Sequence, residues 1–371
     1  MLKDIHLEKL SEISTPERSC LTLFLSGPKS LEFLDKKFEE ARSVLKTGRE
    51  AEKDEQVHFD ENVKAVRKYL DQHPLQSGSL CLISCWILNF FQAFSLEKPV
   101  KDLLWIDSSP YIRPLAELQD EFENVAVVIA DNEKARVFLL SAETHESEEV
   151  IKGNIKNHVR KGGWSQQRYE RRRDKQLLLY AKEIAGAVSD LYRTETFRRV
   201  VLVGGKEILQ ILYDQLPAHL QEMTNKKAID LHQGEDSINK DIMTLFTEQE
   251  RTSEQDLWEK IRAEYLRGGL GTVGPERVLA AALAGQVEAM VVQRDLELKG
   301  QRCRNCECLA PAGEKCPECG SDSVFEVDLV NEIVELVEKS GGTVDFTESI
   351  DTLDQAGGIA ALLRYHMYGG N

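Results

Sequence analysis

The stretch CRNCECLAPAGEKCPECG, residues 303–320, constrains this chain more than any other. Cys303 and Cys306 form one Cys-x-x-Cys, and Cys316 and Cys319 form a second after a short spacer. Two such tight turns present four thiolates tetrahedrally, which is the donor set of a structural Zn²⁺ site. Four protein ligands leave no open position, so the ion would organise a small ribbon and take no part in chemistry. A redox dithiol needs one Cys-x-x-Cys and no second copy. Cys308 is an extra thiol within the stretch, whereas Cys20, Cys81 and Cys85 lie in apolar runs and read as core. Eight cysteines in an otherwise ordinary intracellular composition point to metal rather than to disulfides.

Around the ribbon the pattern alternates between strands and helices. CLTLFLS reads as a strand, Gly27-Pro28 as a turn, and the next residues as a helix with Leu31, Leu34, Phe38, Ala41 and Leu45 on one face and Ser30 as N-cap. A second helix spans FDENVKAVRKYLDQH, and strands follow between Leu80 and Phe94 and in KDLLWID, giving a helix-backed antiparallel sheet. VAVVIADNEKARVFLL reads as a hairpin turning at residues 131–134. After Ser165, an N-cap candidate, Leu177, Ala181, Ile184, Val188 and Leu191 make one apolar helical stripe. RRVVLVGG is a buried strand, and helices around Ile208–Leu212 and Ser253–Leu266 complete this second unit. Past the glycine-rich RGGLGTVGPE, Pro275 opens a helix. VEAMVV, the cysteine insertion, LVNEIVELVEKSG, TVDF and GGIAALLRY then alternate as a small α/β sandwich. Three units are expected: 1–123, 124–268 and 269–371, with the ribbon at about 301–322.

The chain carries a formal net charge of −16, yet from Lys152 to Lys175 nine Lys or Arg face only Glu170 and Asp174, a local balance of +7. Overall acidity argues against coating DNA, but phosphate attraction is local under physiological screening. Gly162 and Gly163 free the backbone for close approach to a ligand, Arg160 and Lys161 flank them, and Trp164 offers a stacking face. Arg168, Arg171, Arg172 and Lys175 fall on the helix face away from the apolar stripe, where they can meet phosphates, with Gln167 beside them. The stretch is not a Walker loop, because Lys161 precedes the glycines, and VLVGGKE lacks the rest of a dinucleotide fingerprint. The most apolar run, SLCLISCWILNFF, is too short to span a bilayer, and the first residues lack a signal-peptide core, so no membrane association and a cytoplasmic location are expected.

The order of these landmarks, with RKGGWSQQRYERRR ahead of a long basic helix and a cysteine ribbon inside a last domain closing on GGIAALLRY, resembles the archaeal and eukaryotic class-1 peptide release factors and Pelota. Tryptophan after the glycines is most similar to the bacterial branch of that superfamily. The resemblance covers nearly the whole chain. It implies a mixed α/β (α+β) fold of three domains with a zinc ribbon inserted in the C-terminal one. It also implies a tRNA-shaped factor entering the ribosomal A site, with ribosomal RNA and the peptidyl-tRNA end as partners and a translational GTPase as a further partner.

In the release factors the matching loop is Gly-Gly-Gln, whose glutamine contributes a backbone amide near the developing oxyanion during peptidyl-tRNA hydrolysis. Gly162 and Gly163 match, and Trp164 stands where the glutamine would be, able to keep the amide but far bulkier. Stop-codon reading is not expected. KTGREAEKDEQ replaces the Asn-Ile-Lys-Ser loop, WIDSSPY lacks the cysteine of the second decoding motif, and the Asn154-Ile155-Lys156 triplet lies in another domain. Two activities remain open on the residues: ribosome rescue or peptide release, and noncatalytic occupation of the A site in hibernation.

Overall fold

A computed structural model describes residues 5–46, 53–96, 98–121, 125–140, 145–152, 164–194, 197, 199–229 and 254–366. The chain divides into two compact units, one made of residues 1–121 and 251–371 and the other of residues 122–250. Both are mixed α/β.

The first unit begins with helix α1 (Leu7–Ser11) and strand β1 (Cys20–Leu25), followed by α2 (Leu31–Lys46), α3 (Lys53–Gln72), β2 (Ser79–Cys85), β3 (Phe90–Leu96), β4 (Leu103–Asp107) and α4 (Arg113–Glu121). The strands form an antiparallel sheet in the order β3-β2-β1-β4. Leu21, Leu23 and Leu25 alternate onto one face and pack against Leu34, Phe38, Phe59 and Val63 of α2 and α3. This is the expected helix-backed sheet. Two details differ from the sequence reading. Leu31 is 40% exposed, so the apolar face of α2 starts at Leu34. Ser30 closes a short 3₁₀ turn, Pro28–Ser30, and its hydroxyl accepts from the Gly27 amide at 3.2 Å, because Pro28 tightens the entry to the helix.

The second unit holds β5 (Val125–Ala130), β6 (Lys134–Leu140), β7 (His145–Lys152), α5 (Trp164–Thr194), β8 (Arg199–Gly204), α6 (Lys206–Gln215), α7 (Ala218–Glu222) and β9 (Thr224–Ala228). Its sheet runs β7-β6-β5-β8-β9, with β8 parallel to both β5 and β9. The hairpin turns as expected: Asp131 Oδ1 accepts from the Glu133 and Lys134 amides at 2.6 and 2.7 Å. Leu177, Ala181, Ile184 and Val188 are fully buried against Val128, Leu202 and Leu212, and Leu191 packs at the edge. Ser165 lies within α5 rather than at its cap. Gly204 has φ 146°, and a Cβ there would overlap the Ala130 carbonyl of the neighbouring strand, so close strand pairing accounts for this glycine.

The chain returns to the first unit with α8 (254–266), β10 (Gly271–Val273), α9 (Pro275–Leu283) and β11 (Val287–Gln293). Strands β12 (Lys299–Cys303), β13 (Leu309–Pro311) and β14 (Val324–Asp328) form a separate three-stranded sheet, β13-β12-β14. Then come α10 (Leu329–Lys339), β15 (Thr343–Thr347), α11 (Asp351–Asp354) and β16 (Ile359–Leu363), completing the sheet β10-β16-β11-β15. Trp258 and Ile261 of α8 pack with Val291, Leu353, Ala360 and Leu362, so this helix belongs with the C-terminal sheet rather than with the central one. No helix of the described residues is long and apolar enough to cross a membrane.

Helix α10 is buried almost all round and meets the N-terminal segment through polar groups. Asn331 Oδ1 accepts from the amides of Ile112 and Arg113 at 2.9 and 3.0 Å. Glu335 Oε1 accepts from Ser109 Oγ at 2.9 Å and Asn331 Nδ2 at 2.5 Å. Glu332 Oε2 accepts from Arg302 Nη2 at 2.5 Å. Burial pushes the Asp107 carboxyl up, Glu332 up to about 7, and Glu335 well above the usual glutamate range.

Two predictions follow from this packing. Gly204→Ala should destabilise the second unit by more than about 1 kcal/mol, read as faster hydrogen exchange in β5 and β8 with α10 unaffected. The second concerns pH. A carboxyl whose folded pKa lies above its unfolded one stabilises the fold below the unfolded value and loses that contribution as pH rises through the folded one. Protection of α10 should therefore weaken as pH rises from roughly 4.5 through 7 and beyond, and Glu335→Gln, which fixes the neutral form, should blunt the fall. An equal fall in the variant would count against this account.

Candidate functional site

The two Cys-x-x-Cys turns have the same backbone plan. The Cys303 amide donates to the Cys308 carbonyl at 3.0 Å and the Cys316 amide to the Ser321 carbonyl at 2.8 Å. In return, the Glu307 amide donates to the Cys303 carbonyl at 2.9 Å and the Gly320 amide to the Cys316 carbonyl at 3.0 Å. Closing each turn puts its fifth residue in the left-handed region, Glu307 at φ 57° and Gly320 at φ 72°. Glycine takes that conformation at no steric cost, and Glu307 takes it because the same turn demands it.

The turns bring Sγ of Cys303 to 3.6 Å from Cys319, and Cys306 to 3.4 Å from Cys316 and 3.5 Å from Cys319. All four sulfurs lie within 4.8 Å of one another. A tetrahedron with metal–sulfur bonds of about 2.3 Å has edges of about 3.8 Å, so the quartet has the size and donor set of a closed thiolate centre. Cys308 stands apart, its thiol donating to the Leu309 carbonyl at 3.9 Å. Sequence spacing left that fifth thiol ambiguous; the turn geometry separates it.

What the cysteine spacing does not reveal is how the ribbon is held. Arg304, inside the first Cys-x-x-Cys, reaches the fully buried Glu55 of α3 at 2.9 Å, and Arg18 reaches the same carboxylate at 3.0 Å. Arg304 also lies over the Phe325 ring at 4.8 Å. Glu55 stands in KTGREAEKDEQ, ahead of the helix read from FDENVKAVRKYLDQH; α3 starts earlier, at Lys53, and the partners that bury Glu55 are 37 and 249 residues away.

On α5, Arg171, Arg172 and Lys175 are exposed on the side opposite Leu177 and Ala181. Arg173, by contrast, is tied to Glu207 of α6 at 2.6 Å, so it braces the helix against its neighbour. Trp164, Gln167 and Arg168 belong to the first turns of this helix, and their side chains lie outside the described residues. Arg160, Lys161, Gly162 and Gly163 lie outside the described residues altogether.

Comparison with known proteins can now be set beside this geometry. Peptide chain release factor subunit 1 of Methanococcoides burtonii is 24% identical over 292 residues, 70% of each chain. That of Archaeoglobus fulgidus is 28% identical over 289 residues, 71% of each chain. The crystal structure of Archaeoglobus fulgidus Pelota aligns over 100% of this chain and 94% of that one, at 12% identity and a TM-score of 0.31. The chain is similar along about 70% of its length to archaeal peptide chain release factor subunit 1. Residues 110–249 match the model of Bacterial archaeo-eukaryotic release factor family 10, a span that includes the glycine pair and all of α5.

The metal centre generates a direct test. Purified protein should carry one tightly held metal ion per chain, and Cys306→Ser should lose it, with faster exchange confined to the ribbon and its contacts on α3. Full metal retention by Cys306→Ser, or metal-free wild type with a native ribbon, would rule the centre out.

Proposed function

We propose that this chain is a ribosome-binding translation factor that occupies the A site as a tRNA mimic and acts in ribosome rescue or peptide release without reading a stop codon. The observation that carries this reading is the exposed cationic face of Arg171, Arg172 and Lys175, on the helix that follows the glycine pair, in a chain whose relatives over 70% of their length are peptide chain release factors. A basic stretch in a chain of net charge −16 concentrates phosphate affinity at one place, while the remaining acidity limits indiscriminate RNA binding. Arg160, Lys161, Gln167 and Arg168, which precede Arg171 in the sequence, are assigned to the same RNA contact. The working parts are an N-terminal domain, a central domain that carries the glycine pair and α5, and a C-terminal domain that starts with α8, acting in the cytoplasm with ribosomal RNA, the peptidyl-tRNA end and a translational GTPase as partners.

In this reading Gly162 and Gly163 let the backbone approach the peptidyl-tRNA ester, and the Trp164 amide stands by the developing oxyanion while the ribosome supplies most of the catalysis. The Cys303, Cys306, Cys316 and Cys319 centre holds Zn²⁺, the ion that four thiolates at tetrahedral spacing favour, in a structural role. Trp164 in place of glutamine favours a second reading, in which the indole stacks on a base and the protein blocks idle or stalled ribosomes without cleaving anything.

Sedimentation with ribosomes tests the shared part. Wild-type binding should fall steeply with salt, and a combined Arg171→Glu, Arg172→Glu and Lys175→Glu variant should bind more than about tenfold more weakly. Unchanged co-sedimentation of that variant would overturn the reading. Peptidyl-tRNA hydrolysis on stalled ribosomes separates the branches. Release lost in Gly163→Val but kept in Trp164→Ala marks the hydrolytic one, whereas no release and a binding loss of roughly 1–3 kcal/mol in Trp164→Ala marks the blocking one.

A further inference from the structure

Strand β4 is the last strand of the N-terminal sheet, and β14 is the last strand of the ribbon sheet. Among the described residues neither has a partner strand on its outer side. Both edges line one open cleft of about 1060 Å³ within the first unit. Leu103 to Ile106 form one wall, Val327 and Leu298 belong to the other, and Tyr111 and Arg113 lie at the junction. Several contacts cross this junction: Tyr111 Oη donates to Asp328 Oδ2 at 2.8 Å, Arg113 lies 3.5 Å from the same carboxylate, and its guanidinium also donates to the Leu296 and Arg294 carbonyls at 2.9 and 2.5 Å. They hold the walls together without filling the cleft. The Trp105 and Tyr111 rings stack at 4.7 Å and give the β4 wall an aromatic surface.

An unpaired strand edge is a template for another strand, and soluble proteins normally blunt or cover it. Residues 103–106 of β4 are only half-buried, with no bulge in their pairing to β1. Charge decides what kind of strand would suit it. Glu40 is matched by Lys37 and Glu326 by Lys299, each at 3.0 Å, while Arg113 serves both Glu117 and Asp328. Asp295 and Glu297 are exposed on the rim and have no ion pair among the described residues, against a single such cation, Lys101.

We propose that this cleft is a docking site for an extended, lysine- or arginine-bearing segment of a partner protein, which adds to the free edge of β4 as a further strand. Backbone hydrogen bonds to β4 supply the pairing, the half-buried apolar wall takes alternate side chains, and Asp295 and Glu297 receive the positive ones. The five residues of β4 span about 16 Å, enough to pair a segment of about five residues. The site is independent of the basic face of α5 and of the metal centre's four sulfurs.

The probe is a capped synthetic hexapeptide of alternating lysine and valine, added to the full-length protein. Hydrogen exchange should slow at residues 103–107, and fluorescence anisotropy of the labelled peptide should report binding that weakens with salt. The same peptide N-methylated at alternate residues keeps its charge and side chains but cannot extend a ladder, so it should bind at least tenfold more weakly. Asp295→Lys with Glu297→Lys, two exposed changes that leave the fold alone, should also lose at least tenfold. Absence of protection at residues 103–107 at millimolar peptide, protection at another edge instead, or equal binding by the N-methylated peptide would each overturn the proposal.

Discussion

The first unit depends on one helix, α10, that is buried almost all round although five of its eleven residues are polar or charged. Asn331, Glu332 and Glu335 would be solvated on an ordinary amphipathic helix, yet all three are buried on α10. Their burial is tolerable only because each meets a donor from elsewhere in the chain: the Ile112 and Arg113 amides, Arg302, or Ser109. Removing one such donor leaves a buried acceptor unsatisfied, which costs more than the hydrogen bond contributed. A polar seam of this kind also specifies register. An apolar surface would let α10 slide against the 107–113 segment, whereas one amide oxygen accepting from two successive backbone amides fits a single position.

That seam explains which parts of the fold were legible in the sequence and which were not. Elements defined by their own periodicity were visible: the buried stripe of α5, the alternation in β1, the hairpin at Asp131, and Pro275 at the start of α9. Elements defined by a partner far away in sequence were not. LVNEIVELVEK reads as a helix, but nothing local shows that Asn331 caps the entry of α4 or that burial pushes the Glu335 carboxyl well above the usual glutamate range. Helix α8 is apolar at Trp258 and Ile261 whichever sheet it covers, so its pattern is silent about the choice. Strand β9 is polar and exposed and β13 is only three residues long, and only neighbours in space make them strands.

The candidate site divides in the same way. The cluster of four cysteines was legible because their spacing is local chemistry, two tight turns and a spacer. The cationic face of α5 was legible because helical geometry sorts charges by angle: Arg171, Arg172 and Lys175 stay free, while Arg173, one turn before the buried Leu177, falls near the packed side and meets Glu207. What a sequence cannot show is that one arginine among so many is used to brace the helix.

The ribbon is not an appendage on the first unit. Arg304 sits between the paired thiols of the first turn, and its guanidinium meets Glu55, whose carboxylate is wholly buried and also takes Arg18. A carboxylate with no exposure needs both cations, because burying it beside fewer donors raises its cost by several kcal/mol. The turn that brings Cys303 and Cys306 into the quartet of sulfurs therefore also aims Arg304 at α3. Metal loss would free the turn, withdraw one cation from Glu55, and carry the disturbance to a helix of the N-terminal sheet far away in sequence. A structural ion at this place can hold two distant parts of the chain in one unit while touching only four sulfurs.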